Sequence, residues 1–551
     1  MTPRAHITRE AMAITHRILP FLAAAIIAGA PAHAAPPEAV DTAAIALIKS
    51  EGLQRSRVMT TASWLTNVIG PRLTGSVEYR RAAEWARGEL AALGLDKARV
   101  ESGGFFGRGW TLQSHALNIV QPVPFPVVSM PRAWSPGTNG KKRAAVVVFD
   151  APSDSALPFF KGKLKGKLVM MENPVDVTPP FTPIALRETE KSLLELANAS
   201  SEPPPSRRPP GNFGGQLRTR MGLASRKARM AMEEGAVGFL VASRLEAGNV
   251  AVQGASVPTL PDEKRVSAYD PNAPRLLPQV AVTAEHYNRI HRMAAQGQTV
   301  VAELDVAAKF TGPDSVWNVV AELPGTDLKD EVVMIGGHLD SWHGGTGATD
   351  NAAGVAVCME AMRILKASGV KPRRTIRIAL WGGEEQGLLG SEGYVERHFG
   401  RRTQEAADSA ALITLYPAAE KFSAYFNMDN GTGRFRGIFL QRNEALRPIF
   451  RAWLDAFDDP TAVTISARST GSTDHVSFQS LGLPGFQFIQ DDIEYFTRSW
   501  HTTMDTYERL IEEDLKQAAT MMATFAYCAA SRDERLPRLA PRGAKVVTAA
   551  P

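Results

Sequence analysis

Cysteine and long apolar runs are what this chain has least of. Its 551 residues hold two cysteines, Cys358 and Cys528. Two thiols make neither a disulfide framework nor a four-thiolate zinc site, so any metal must be held by nitrogen and oxygen. Both fall in helix-like stretches and read as small core residues rather than as a bridge. The apolar run ILPFLAAAIIAGA at 18–30 has thirteen residues, and no later segment reaches the ~20 that cross a bilayer. Runs of Lys/Arg interleaved with aromatics are missing too. The net charge of +5 is small for this length, and together these features argue against a nucleic-acid partner. No internal repeat is visible.

What is present begins at the N-terminus. Arg4, Arg9 and Arg17 precede the apolar run, and PAHA follows it, with Ala32 and Ala34 in a small-x-small pattern. This reads as a secretory signal peptide over 1–34, cut after Ala34, with Met12 as an alternative start. The expectation is an exported protein, periplasmic or secreted, with no stable membrane insertion after cleavage.

The length calls for more than one domain. SRVMTTASWLTNVIGPRLTGSVEYRRAAEWARGELAALGL reads as two helices about a turn at Gly70-Pro71, and 35–125 is assigned to a first part of the main domain. From 126 to 305 the character changes. AAVVVF (144–149), KLVMM (167–171) and GAVGFLVA (235–242) are short buried strands. Between them lie NPVDVTPPFTP and ASSEPPPSRRPPGNFGG, read as a mobile surface loop. From 306 to 535 the order becomes strand, loop, helix. EVVMIG, TIRIALWGG, FSAYFNM and GFQFIQ are strands, and AGVAVCMEAMRILKASG is a helix stopped by Gly369. The residues after 535, rich in Pro, Arg and Ala, are expected to be a loose tail. The fold class is α/β, a doubly wound, mostly parallel sheet with an inserted α+β domain.

Ligand sites of such sheets lie beyond the carboxyl ends of the strands. There the sequence places His338 and Asp340 after EVVMIGG, Glu384 and Glu385 after TIRIALWGG, Asp429 after FNM, and His501 and Asp505 after FQFIQ. Asp350 opens the helix that follows the first of these strands. Glu-Glu alone is usually a solvated helix start, and Asp429 before Asn430-Gly431 could be a turn. The joint recurrence at strand ends is what points to a site. Two imidazoles with several carboxylates suit a pair of zinc ions ~3.5–4 Å apart. Asp350, among glycines that permit close approach, is the natural bridge.

The runs GGHLDSW, GATDNAAG, LWGGEEQGLLGS, NMD and HTTMDT resemble the co-catalytic dizinc exopeptidases, which include bacterial aminopeptidases and glutamate carboxypeptidases. HLDSW and the twelve-residue step from His338 to Asp350 look most like the plasma glutamate carboxypeptidase type. RLTGS at 72–76 and STDHVSFQSLGLPG at 472–485 fit the same pattern. The likeness covers about 45–120 and 310–535, and KARMAMEEGAVGFLVAS in between resembles a protease-associated domain.

The resemblance implies that His338, Asp350 and Asp429 hold one zinc and that Asp350, Glu385 and His501 hold the other. Glu384 becomes the general base, and Asp340 orients His338 through its other ring nitrogen. Arg498 and His475 are assigned to the substrate side. Arg498 could meet a carboxylate, while His475 with Asp474 braces the nearby loop. His343 stands where relatives carry an acid and reads as a solvent-exposed loop histidine.

Two departures stand out. FGRRTQEAADSAALITLYPAAEK lengthens the step from Glu385 to Asp429, and no tyrosine precedes STDH to serve as an oxyanion donor. The expected activity is hydrolysis of small peptides by an aminopeptidase or dipeptidase. A carboxypeptidase, an amidohydrolase or a non-catalytic binding protein on the same fold are the alternatives, and there is room for a homodimer.

Overall fold

The structure is a computed structural model that describes residues 38–202, 213–243, 245, 248–404, 410–541 and 543–549. The signal segment expected at 1–34 lies outside the described residues.

Six strands carry the argument: β1 (Asp96–Gln121), β2 (Val301–Leu323), β3 (Leu328–His338), β4 (Arg374–Trp381), β5 (Phe422–Asn427) and β6 (Gly485–Gln490). β4, β3, β5 and β6 lie side by side and parallel. β2 closes this group antiparallel to β4, and β1 runs antiparallel along β2. The central group is therefore mostly parallel, as the strand-helix alternation predicts.

Alternation within each strand assigns the two faces. Val333 and Ile335 of β3, and Ile376, Ile378 and Leu380 of β4, enter one core with helices α1 (Val77–Ala92), α2 (Ala353–Ala367) and α3 (Glu512–Ser531). Val332, Met334, Ala379 and Trp381 enter the opposite core, with Tyr394, Phe399, Tyr425 and Phe478. Both faces are covered, which is why β3 and β4 read as near-continuous apolar runs. α2 is buried along Ala353–Leu365 because α3 packs over it. Its two buried charges, Glu360 and Arg363, pair at 2.8 Å, and Arg363 also meets Glu51. Cys358 and Cys528 are both buried in this core.

The region between β1 and β2 forms its own small parallel sheet from Lys142–Val148, Leu168–Met170, Gly238–Ala242 and Gln279–Val282. It has separate apolar clusters, around Tyr287 and Ile290 on one side and Phe149 and Phe239 on the other. The join is through strands, since Lys142–Ala145 pair antiparallel with Val301–Leu304 at the start of β2.

Several expectations are corrected. β1 and β2 are one long ribbon where the sequence suggests only short strands, and its register shifts at Gly104, Gly107 and Gly109 hide the period of two. The loose tail expected over 536–551 contains a strand, Ala544–Thr548, paired in parallel with Ala411–Leu415. Leu412 and Ile413 on one side and Val546 and Val547 on the other suit such pairing, and the open edge was made by the lengthened segment itself. Of the segments read as a mobile loop, residues 203–212 lie outside the described residues, and the stretch between the two is ordered. Leu186 pairs with Ile493, and Glu190–Ala197 is a helix with a capping box.

Candidate metal centre

His338, Glu384, Glu385 and Asp429 sit at or just past strand ends, and the longer loops that carry Asp350 and His501 return to the same point. His338 ends β3 and lies level with Trp381, after which β4 turns into Glu384-Glu385. Asp429 follows β5. His501 lies on the loop after β6, and Asp350 on the turn into α2. That turn needs glycine at 347, which has φ of +61° and where a Cβ would collide with Ser341.

The arrangement is two facing halves about one carboxylate. His338 Nε2 lies 3.1 Å from Asp350 Oδ1 and 3.3 Å from Asp429 Oδ1. His501 Nε2 lies 2.9 Å from Glu385 Oε2 and 3.3 Å from Asp350 Oδ2. Each oxygen of Asp350 thus faces a different imidazole. Ligand atoms of His338, Glu384 and Asp429 fall within 4.8 Å of one another, as do those of Asp350, Glu385 and His501.

The electrostatics call for cations. Four buried or half-buried carboxylates meet two imidazoles. Burial pushes the Glu384 carboxyl well above its usual range. His338 opposes this, while Asp429, Asp474 and Glu385 add to it. Burial and then Asp350 bring Glu385 up to about 8. Burial alone would lower the imidazoles, yet Asp429 and Glu384 hold His338 well above its ordinary value, and Glu385 with Asp350 lifts His501 to about 10. Asp350 Oδ2 and Glu385 Oε1 are buried without a hydrogen-bond partner. Buried acceptors of this kind, in an oxygen and nitrogen donor set, fit divalent metal ions such as zinc.

The supporting groups differ in detail from the expectation. His338 Nδ1 is held by the main-chain carbonyl of Asp340 at 3.0 Å, and the Asp340 carboxylate is farther, at 3.6 Å. That carboxylate instead accepts from Thr74 Oγ1 at 2.8 Å and from the Glu384 amide at 3.2 Å. Asp340 therefore orients the imidazole through its backbone and the Glu384 turn through its side chain.

Two further residues were quoted in the motifs without a role. Asp505 accepts from the amides of Thr349 and Asp350 at 2.6 and 3.1 Å and so fixes the turn that carries Asp350. Arg72, fully buried, donates to the carbonyls of Leu339, Thr346 and Gly347 at 2.8–2.9 Å and clamps both ends of the His338–Asp350 loop. Burial lowers its guanidinium to about 10 against the pull of Asp505, Asp340 and Asp350. The sequence signal for both was position inside a motif; their partners are not local.

The remaining assignments divide. Asp474 is fully buried beside the site, and burial lifts its carboxyl to about 7. His475 is fully buried and bonded to Thr470 at 3.1 Å, which braces its own loop. Arg498 is paired with Glu494 at 3.0 Å. His343 is not an exposed loop histidine. It is buried, bonded to the carbonyl of Pro131 at 2.7 Å and edge-on to Trp110, because the inserted region packs over it.

Comparison with known proteins agrees with this geometry. Residues 318–526 match the model of Peptidase family M28. Carboxypeptidase Q of Mus musculus is 30% identical over 273 residues, half of this chain and 54% of that protein. The match to Carboxypeptidase Q of Bos taurus extends over 88% of each chain at 25% identity. The crystal structure of a peptidase M28 precursor from Shewanella amazonensis superposes with a TM-score of 0.63 at 26% identity, covering 91% of this chain and 99% of that one.

Proposed function

We propose that this chain, a member of peptidase family M28, is a two-zinc exopeptidase that hydrolyses small peptides bearing a free N-terminal amine. The observation that carries the reading is the pair of imidazole-carboxylate halves sharing Asp350, with Glu384 beside them. His338, Asp350 and Asp429 would hold one ion, and Asp350, Glu385 and His501 the other. Bound there, the ions supply Lewis acidity to the scissile carbonyl and to the attacking water.

The chain's own residues do the rest. Glu384 takes the proton of the attacking water. Glu384 then passes that proton to the leaving amine. Asp340 holds the Glu384 amide and so fixes the base relative to His338. Trp342 and Gly345 line a small recess beside the outer half with Asp350, Glu385 and His501.

A free amine suits a mouth of surplus carboxylates. The cations on the loop after β6 are matched: Arg498 and Arg509 both pair with Glu494. A carboxypeptidase would want an arginine free to grip the C-terminal carboxylate. The similarity to Carboxypeptidase Q favours that second reading. One pair of substrates separates them: a dipeptide with a free amine and the same dipeptide N-acetylated. Cleavage of the first alone is expected; equal cleavage of both refutes the amine requirement and makes Arg498 the next residue to change.

Export, with removal of 1–34, is part of the proposal and rests on the N-terminal sequence. Among the described residues no helix is long and apolar enough to cross a membrane. The insert at 126–305 is assigned to the protease-associated type, on its small parallel sheet.

A further inference from the structure

The two imidazoles are oriented by different means. Metal-binding histidines are usually fixed by a hydrogen bond from the second ring nitrogen. His338 has that bond, through the Asp340 carbonyl. His501 does not: its Nδ1 is buried without a partner, and its backbone sits at φ of +56°, a conformation an L-residue keeps only when its surroundings impose it.

What imposes it comes from the inserted region. The Val252 amide donates to the carbonyl of His501 at 2.7 Å, and the Thr503 amide donates to the carbonyl of Val250 at 3.1 Å. Ala251 and Thr502 lie opposite each other as an antiparallel bridge. Asn249, buried, closes the turn. Its Nδ2 donates to the Arg498 carbonyl at 2.7 Å, and its Oδ1 accepts from Thr503 Oγ1 at 3.3 Å. One side chain thus spans the turn from before His501 to after it. Gly344 admits the strap, because a Cβ there would strike Val252.

We propose that the segment 249–252, with Asn249 as its principal side chain, positions His501, so that the inserted region sets how firmly the outer half of the metal centre binds its ion. Asn249 is a positioning residue and touches no substrate. The inference rests on the two-ion reading above.

The test uses the full chain loaded with zinc, and reads zinc per chain while a chelator is titrated. Wild type is expected to hold two ions. Asn249→Ala is expected to release one of them at about 10- to 100-fold lower chelator concentration, with the other ion retained and the melting temperature of the metal-free chain unchanged. Activity lost at limiting zinc should return when zinc is in excess, which a purely structural defect would not allow. Thr503→Val, which removes the bond from the other side, should shift the same ion by less, and serves if Asn249→Ala does not fold. Release of both ions in step, or a wild-type release curve in the variant that folds, overturns the proposal. A wild-type chain that holds a single ion overturns the two-ion reading, and this one with it.

Discussion

Around His338 the supports are main chain and core. The residue ends a central strand, is fully buried, and has its far nitrogen on a carbonyl two residues away. Around His501 the supports are borrowed. The ring lies on a loop eleven residues past its strand, is 17% exposed, stacks on Trp500, and takes its backbone conformation from a segment some 250 residues earlier. Local order can be inherited from a strand end, whereas order on a long loop must be supplied by whatever packs over it. The same comparison separates what each motif carries: the run through His338 contains its own support, while HTTMDT marks His501 without the distant segment that holds it.

The sharpest way to break this comparison is at the residue the halves share. Asp350→Ala should empty both halves and abolish turnover, measured as zinc per chain and peptide hydrolysis; if one ion stays at wild-type affinity, Asp350 does not bridge. Next in size is the proposed base. Glu384→Gln keeps the shape and removes proton transfer, which should lower kcat ~10²–10⁴-fold with zinc content unchanged. Loss of one ion would instead make Glu384 a ligand of the His338 half, a role its closeness to that group allows.

Asp505→Asn sharpens the comparison at the bridge. An amide cannot accept from the Thr349 and Asp350 amides with both atoms, so Asp350 should loosen and zinc affinity should fall by about 10- to 100-fold. The smallest effect concerns the inserted region's grip on the loop. Burial holds His343 down to about 4, opposed only by the Pro131 carbonyl. Below pH ~6.5 the unfolded chain takes up a proton that the folded chain refuses, so stability falls as pH drops from 6.5 towards 4 and is flat above that window. The loss is about 3.5 kcal/mol from this residue at most, at ~1.4 kcal/mol per pH unit. Urea unfolding at pH 7 and pH 5 should show it in the wild type and less of it in His343→Phe.

The legible part of the molecule was that in which neighbours in sequence are neighbours in space. VVMIGGH and TIRIALW carry their burial on both faces, and the ligands follow them within a few residues. His343 was misread because nothing adjacent to it announces Pro131 and Trp110 as its cover. Asn249 sits in AGNVAVQG, which reads as an ordinary loop, and its partners Arg498 and Thr503 lie far along the chain. Arg72 was visible within RLTGS, but that its guanidinium serves five backbone carbonyls rather than an acid is a fact of the assembled loop.

The β1–β2 ribbon also dictates an order of events at birth. Asp96 faces Glu322 and Gln121 faces Val301, so β1 leaves the ribosome long before its partner exists. Closing a flexible loop of about 180 residues costs on the order of 4–5 kcal/mol in chain entropy beyond a constant. The small parallel sheet removes most of that span, because it sets Lys142–Ala145 against Val301–Leu304 and so delivers the start of β2 close to the end of β1. The region that later steadies His501 therefore has an earlier task, as the hinge on which the nascent peptidase sheet closes.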